Sequence, residues 1–365
     1  MQTKDTVQEK CLIEISKYSR CSAAISMGVG KTRIAIKDMQ SNYHKDIKVL
    51  VAVPKLSIIK SWSEELKKLN LERYEDNITY TTYRSINKVN NNYDIVYLDE
   101  CHNVLPSHLP FLDKHKGRII GLTGTPIKDT LSVKYHMHQK FFPVKYVFTV
   151  DDATDSNILN DYRVIIHELN LSELTTHKKK KKNGGQWFTS EVNDYMYHTK
   201  RVDEANPGKQ KQFASILRMK ALMSYTTKDK YVKSLLNRIS SKCIVFANTH
   251  EQADKLCKHS YHSSNKNSED NLKLFSEGTI KTLSCVLQLS EGVTIPDLKQ
   301  GIIMHSYGNE RKSAQRIGRL LRLNPDDTAI CHILCYKGTK DEEWLNQALK
   351  NFNSHKIEYY NELEN

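Results

Sequence analysis

The chain has 365 residues, 39% of them hydrophobic and 27% charged, a balance that excludes a disordered chain and leaves room for two ordinary domains. No stretch reaches the roughly 18 consecutive apolar residues of a spanning helix, and the first ten residues are too polar to begin a secretory signal, so an intracellular, soluble protein with no membrane partner is expected. With 55 Lys and Arg against 42 Asp and Glu, the net charge is +13, which suggests a polyanionic partner such as nucleic acid.

The predicted elements alternate from the start: strands over 22–26, 48–53, 93–98 and 118–122, with helical patterns over 32–40 and 58–69 between them. That alternation predicts an α/β lobe with a parallel sheet covered on both faces. Residues 141–161 lose periodicity and carry Pro143, so the domain boundary is placed there, giving domains of 1–150 and 151–365. The second part repeats the style, with strands over 242–247, 280–288, 301–305 and 329–334 and helices over 250–258 and 312–321. Within it, 171–225 reads as an insertion that holds the lysine run 178–182, followed by Trp187 and Phe188. Such a run is either a solvated loop or a phosphate contact with aromatics able to stack on bases. The eight cysteines form no CxxC pair, so reduced core thiols and a reducing compartment are expected.

The segment Ser26-Met-Gly28-Val29-Gly30-Lys31-Thr32-Arg33 lies between a predicted strand and a predicted helix, the context of a phosphate-binding loop. Gly28 and Gly30 permit a tight turn with inward N–H groups. Lys31 can reach outer phosphates and Thr32 can ligate Mg²⁺. Ile25 stands where the full pattern has a glycine or alanine.

Tyr97-Leu-Asp99-Glu100-Cys101-His102-Asn103 ends the next buried strand, and strand ends are where α/β sheets place ligand-binding groups. Asp99 is thus expected to hold Mg²⁺ and Glu100 to deprotonate water. A zinc site would need more donors than Cys101 and His102 supply; the segment 331–335 is read as core packing. Gln315, Arg319 and Arg322 share one face of the helix predicted over 312–321.

Four of these segments, Gly28-Val-Gly-Lys-Thr32, Asp99-Glu-Cys-His102, Thr123-Gly-Thr-Pro126 and Gln315-Arg-Ile-Gly-Arg-Leu-Leu-Arg322, resemble motifs I, II, III and VI of superfamily 2 helicases. Weaker segments at 51–54 with Trp62, 80–83, 244–248 and 289–296 resemble motifs Ia, Ib, IV and V. The resemblance implies two tandem RecA-like domains, each a mainly parallel sheet, with ATP and Mg²⁺ bound in the cleft between them. It implies that Lys31, Asp99, Glu100, Gln315, Arg319 and Arg322 carry the chemistry, the two arginines as fingers on the γ-phosphate, and that His102 couples this site to motif III or VI. Nucleotide contacts would come from Gln8, Gly28, Val29, Gly30, Lys31, Thr32, Arg33 and Gly292. Nucleic-acid contacts and coupling would come from Pro54, Lys55, Thr82, Arg84, Thr123, Thr125, Asn248, Thr249 and Thr294. Two departures stand out: Thr294 replaces a common aspartate, and Val7 replaces the aromatic that usually precedes the adenine-reading glutamine.

The implied function is an ATP-dependent DNA helicase or translocase, nearer the DNA-remodelling, XPB-like or phage branch than the DEAD-type RNA helicases. An RNA helicase, or a motor subunit whose protein partner supplies specificity, is the alternative; a P-loop kinase fits less well, having no second α/β lobe. A compact lysine-rich motor suits a virus, which would place it in the host cytoplasm.

Overall fold

The computed structural model describes residues 2–26, 28–127, 129–180, 184–286, 295–306, 327–349 and 352–360. Its packing divides the chain into two units, with the passage from one to the other at Asp161 and Tyr162.

The first unit holds a six-stranded sheet in the order β3-β2-β4-β5-β1-β6: Ile78–Thr82, Val49–Val53, Ile95–Asp99, Arg118–Thr123, Arg20–Ile25 and Val144–Phe148. Every pairing is parallel. β2 (VLVAV) and β4 (IVYLD) are buried along their whole length, as continuous apolar strands must be when helices cover both faces. α1 (Lys4–Ser16), α2 (Lys31–Ser41) and α3 (Ser57–Lys68) supply part of that cover. A capping box between Thr3 and Thr6 starts α1, satisfying donors that would otherwise be orphaned.

The second unit has a seven-stranded sheet in the order β11-β12-β10-β13-β14-β7-β15. Its strands are Ser260–Tyr261, Thr282–Val286, Cys243–Ala247, Gln300–Ile303, Thr328–Tyr336, Asp161–Leu169 and Ile357–Tyr360. From β11 to β14 successive neighbours pair in parallel, and so do β7 and β15. Two parallel-sheet α/β domains are therefore present, as the strand–helix alternation predicts. The helix predicted over 312–321 lies outside the described residues.

Residues 171–225 carry a separate substructure. An antiparallel hairpin, β8 (His177–Lys180) with β9 (Gln186–Thr189), precedes two helices packed together, α7 (Glu191–Asp203) and α8 (Lys209–Ser224).

The second core is pinned by a buried ion pair. Lys228, 1% exposed, starts α9 (Thr227–Arg238) and bonds to the carboxylate of Asp341. Its amine also donates to the carbonyls of Met304 (2.7 Å) and Leu334 (2.9 Å). Asp341 Oδ1 meets His305 Nδ1 at 3.0 Å. A buried pair is tolerable only when its remaining hydrogen-bonding capacity is used, and here it ties the ends of β13 and β14 to two helices. All eight cysteines are buried free thiols.

Candidate active site

β4, β5 and β1 are consecutive in the first sheet and run the same way, so the segments that follow them emerge at one edge. After β1 comes the glycine loop. Gly28 (φ 89°) and Gly30 (φ 101°) are both left-handed, a conformation that glycine adopts without the Cβ penalty. A Cβ on Gly30 would stand 2.8 Å from Gln8 Nε2. Gln8 is 3% exposed on α1 and donates from Nε2 to the carbonyl of Val29 at 2.8 Å, so it braces the loop from behind. α2 begins at Lys31, leaving the free N–H groups of its first turn at the loop.

At the end of β4, Asp99 and Glu100 differ sharply in surroundings. Asp99 is 5% exposed; its Oδ2 accepts from Trp62 Nε1 at 3.0 Å, and its carbonyl accepts from Tyr83 Oη at 2.6 Å. Burial, with the neighbouring Glu100 charge, pushes the Asp99 carboxyl up to about 6; a divalent cation would offset that penalty. Glu100 has left-handed backbone (φ 49°, ψ 53°), strain that a non-glycine residue carries at functional positions. This bend aims its carboxylate at Lys31 Nζ (3.2 Å) and His102 Nδ1 (3.3 Å). Burial opposes its charge, but Lys31 and the His102 hydrogen bond prevail and hold it below the usual carboxylate range.

The same His102 Nδ1 lies 2.8 Å from Thr123 Oγ1 at the end of β5, and Thr123 Oγ1 accepts from the Thr125 N–H at 3.0 Å. Lys31, Glu100, His102, Thr123 and Thr125 thus form one polar chain from the glycine loop to the segment after β5. Cys101 packs in the core beneath it.

The other expected site residues fall in several places. Thr32 is half-buried in the first turn of α2. Arg33 turns to α3, its Nε 2.7 Å from Glu65 Oε1. Val53 and Thr82 are register partners, so Pro54 and Lys55 follow β2 beside Thr82, with Lys55 and Arg84 exposed. In the second unit Thr249 caps α10 (His250–Leu256), its hydroxyl accepting from the Gln252 N–H at 3.1 Å, and the Asn248 N–H donates to Gln252 Oε1 at 2.9 Å. Gly292, Thr294, Gln315, Arg319 and Arg322 lie outside the described residues.

Sequence reading placed Trp62 and Tyr83 in segments resembling motifs Ia and Ib without giving either a site role; their side chains donate to the Asp99 carboxylate and carbonyl. Each is far from Asp99 in sequence, and an aromatic on a buried face reads first as packing; a buried carboxylate in need of donors was the available signal.

The glycine loop, the amine of Lys31 and the two carboxylates fit a magnesium nucleotide, since the left-handed backbone of Gly30 (φ 101°) disfavours any side chain there and Asp99 is buried close to a cationic group. Residues 4–128 match the family described as type III restriction enzyme, res subunit, and residues 227–324 match the helicase conserved C-terminal domain. The chain is 24% identical to the DNA 3'-5' translocase XPB2 of Sulfurisphaera tokodaii, over 89% of this chain and 80% of that protein. Among solved structures, it resembles in fold the Hef helicase domain of Pyrococcus furiosus, with TM-score 0.51 and 17% identity over 94% of this chain and 96% of that one. The type ISP restriction-modification enzyme LlaBIII bound to DNA gives TM-score 0.62 and 14% identity, covering 100% of this chain and 32% of that one. With both helicase domains matched in order, and the phosphate loop and paired carboxylates at one sheet edge, the chain is a superfamily 2 helicase, an ATP-hydrolysing motor that acts on nucleic acid.

Proposed function

We propose that the protein is an ATP-dependent translocase on DNA, of the XPB-like branch, that moves along or remodels duplexes. The observation that carries this reading is the polar chain from Lys31 through Glu100 and His102 to Thr123. It links the group that senses phosphate to the segment after β5 through contacts of 2.8 to 3.3 Å, the kind of connection that lets hydrolysis alter a distant contact. The choice of DNA rests on likeness to a DNA translocase.

In this reading Lys31 and the N–H groups of the glycine loop hold the phosphates, while Thr32 and Asp99 hold Mg²⁺. The bound ion would neutralise charge that develops on the phosphate oxygens. Glu100 orients the attacking water and takes its proton. Arg319 and Arg322, with Gln315, are assigned to γ-phosphate charge, which fits their residue type. Backbone contacts by Lys55 and Arg84 would be sequence-independent. The working site would be the cytoplasm, that of the host if the source is a virus.

The test is ATP hydrolysis by the full chain with single-stranded, duplex and forked DNA and with RNA, at several salt concentrations. Stimulation by DNA above RNA is expected; stimulation by RNA alone would overturn the assignment. Stimulation by DNA without displacement of a forked strand would leave a translocase that relies on a protein partner.

A further inference from the structure

Between Leu171 and Tyr225 the chain carries eleven Lys and Arg against five Asp and Glu, a net +6 within the total of +13. Part of that charge, Lys178 to Lys180, belongs to a built element, the β8–β9 hairpin. In the β8–β9 hairpin, residues opposite one another share a face, and the register pairs His177 with Thr189, Lys179 with Trp187, and Lys178 with Phe188. The first two pairs face the helices. There Asp194, 3% exposed on α7, accepts from Lys179 Nζ at 2.8 Å and from Tyr225 Oη at 3.1 Å, while the His177 ring sits edge-on to Tyr225 at 5.1 Å. One lysine is therefore spent on anchoring the hairpin, and its base is buried at Thr189.

The pair Lys178 and Phe188 lies on the opposite face, where both are exposed, Phe188 at 56%, and Trp187 at the far end of the anchored face is still 44% exposed. Two large aromatics exposed at neighbouring positions of one strand form apolar surface of the kind that marks a binding site. A cationic amine beside an exposed ring matches what a single-stranded nucleic acid presents: a phosphate and, next to it, the flat face of an unpaired base.

We infer that the β8–β9 hairpin is a second nucleic-acid contact of this motor, in which Phe188 stacks on an unpaired base, Lys178 meets the adjoining phosphate, and Trp187, next to Phe188 on the other face, reports the contact. It uses the reading above only in taking nucleic acid as the partner. Because every base has a stacking face and the lysine reads only charge, the contact is indifferent to sequence. It discriminates against a closed duplex, whose bases are already stacked.

The hairpin carries its own probe. Trp62 is fully buried and Trp344 packs on the second core, which leaves Trp187 as the exposed indole of the three tryptophans. The full chain is titrated with an oligothymidylate and with a blunt duplex while tryptophan emission is followed. The single strand should quench the emission, the blunt duplex should not, and the quench should disappear in Trp187→Phe. Phe188→Ala should raise the midpoint roughly tenfold. Lys178→Gln should lower the slope of log affinity against log salt by about 0.7. A quench that persists in Trp187→Phe, or equal quenching by blunt duplex, or unchanged midpoint and slope in the other two variants, would overturn the inference. DNA-stimulated hydrolysis by the wild type is read in the same samples, so failure of stimulation reports on the translocase reading and failure of the quench on the hairpin.

Discussion

Lys31 Nζ lies 3.2 Å from Glu100 Oε1, so the amine proposed to hold the phosphates and the carboxylate proposed to activate the water neutralise each other. A phosphate that draws Lys31 away removes the counter-ion from Glu100, and a carboxylate without its cation is a stronger base. Glu100→Gln keeps the shape and removes the basicity. ATP hydrolysis should fall by about 10² to 10⁴, while affinity for a fluorescent ATP analogue stays within a few-fold of wild type. Turnover near the wild-type rate would refute the role of Glu100.

Trp62 is the second point of control. Its N–H is the side-chain donor to Asp99 Oδ2, and a hydrogen bond to a charged acceptor contributes about 1.5 to 3 kcal/mol. Trp62→Phe therefore leaves a buried carboxylate short of a donor. The Mg²⁺ concentration for half-maximal ATPase should shift, and the urea midpoint of the first unit should fall by an amount that corresponds to about 2 kcal/mol. An unchanged Mg²⁺ requirement would show that the indole only fills space.

Thr123→Val removes one hydroxyl with little change in volume. It removes the 2.8 Å contact of His102 Nδ1 with β5, leaving only the longer 3.5 Å contact to Thr125 Oγ1, and takes the acceptor from the Thr125 N–H. The increment in ATPase rate on adding DNA should drop about tenfold, in line with roughly 1.4 kcal/mol for the lost contacts. DNA affinity, followed by anisotropy, should change much less. Full stimulation in this variant would show that coupling runs elsewhere.

The second unit should weaken in mild acid. His167 Nε2 and His332 Nδ1 are 2.9 Å apart, His167 Nδ1 is 2.7 Å from Tyr231 Oη, and His332 Nε2 is 3.0 Å from Gln300 Oε1. Burial chiefly, with the positive charge of Arg238 and for His167 the neighbouring imidazole, pushes His167 down to about 3 and His332 down to about 4. Folded-state values below the unfolded one, about 6.5, mean that the unfolded chain takes up these protons first. Stability is then full above about pH 6.5 and declines as pH falls toward the folded values, by roughly 2 kcal/mol per histidine at about pH 5. Urea midpoints at pH 7 and pH 5 check the sign. His332→Gln, which retains a hydrogen-bonding side chain, should flatten the slope.

Sequence alone was enough to reveal the two α/β domains, because an alternation of continuous apolar strands with amphipathic helices has few other packings. It also placed the glycine loop, since Gly28, Gly30, Lys31 and Thr32 lie within a few residues of one another between a strand and a helix, and Asp99 and Glu100 at the end of a strand. Local chemistry leaves a local trace. The partners of those residues were decided by the tertiary structure: Trp62 and Tyr83 reach Asp99 from 37 and 16 residues away, and Gln8 reaches Val29 from 21. The same holds for the hairpin. The lysine run was visible, but that its first residues form an anchored strand depended on Asp194 capturing Lys179 and on the pleat that turns Phe188 outward. Long-range pairs of this kind obey no period in the chain; they are fixed by which strands lie side by side, and the order β4-β5-β1 that assembles the site is set by how the whole sheet buries its faces.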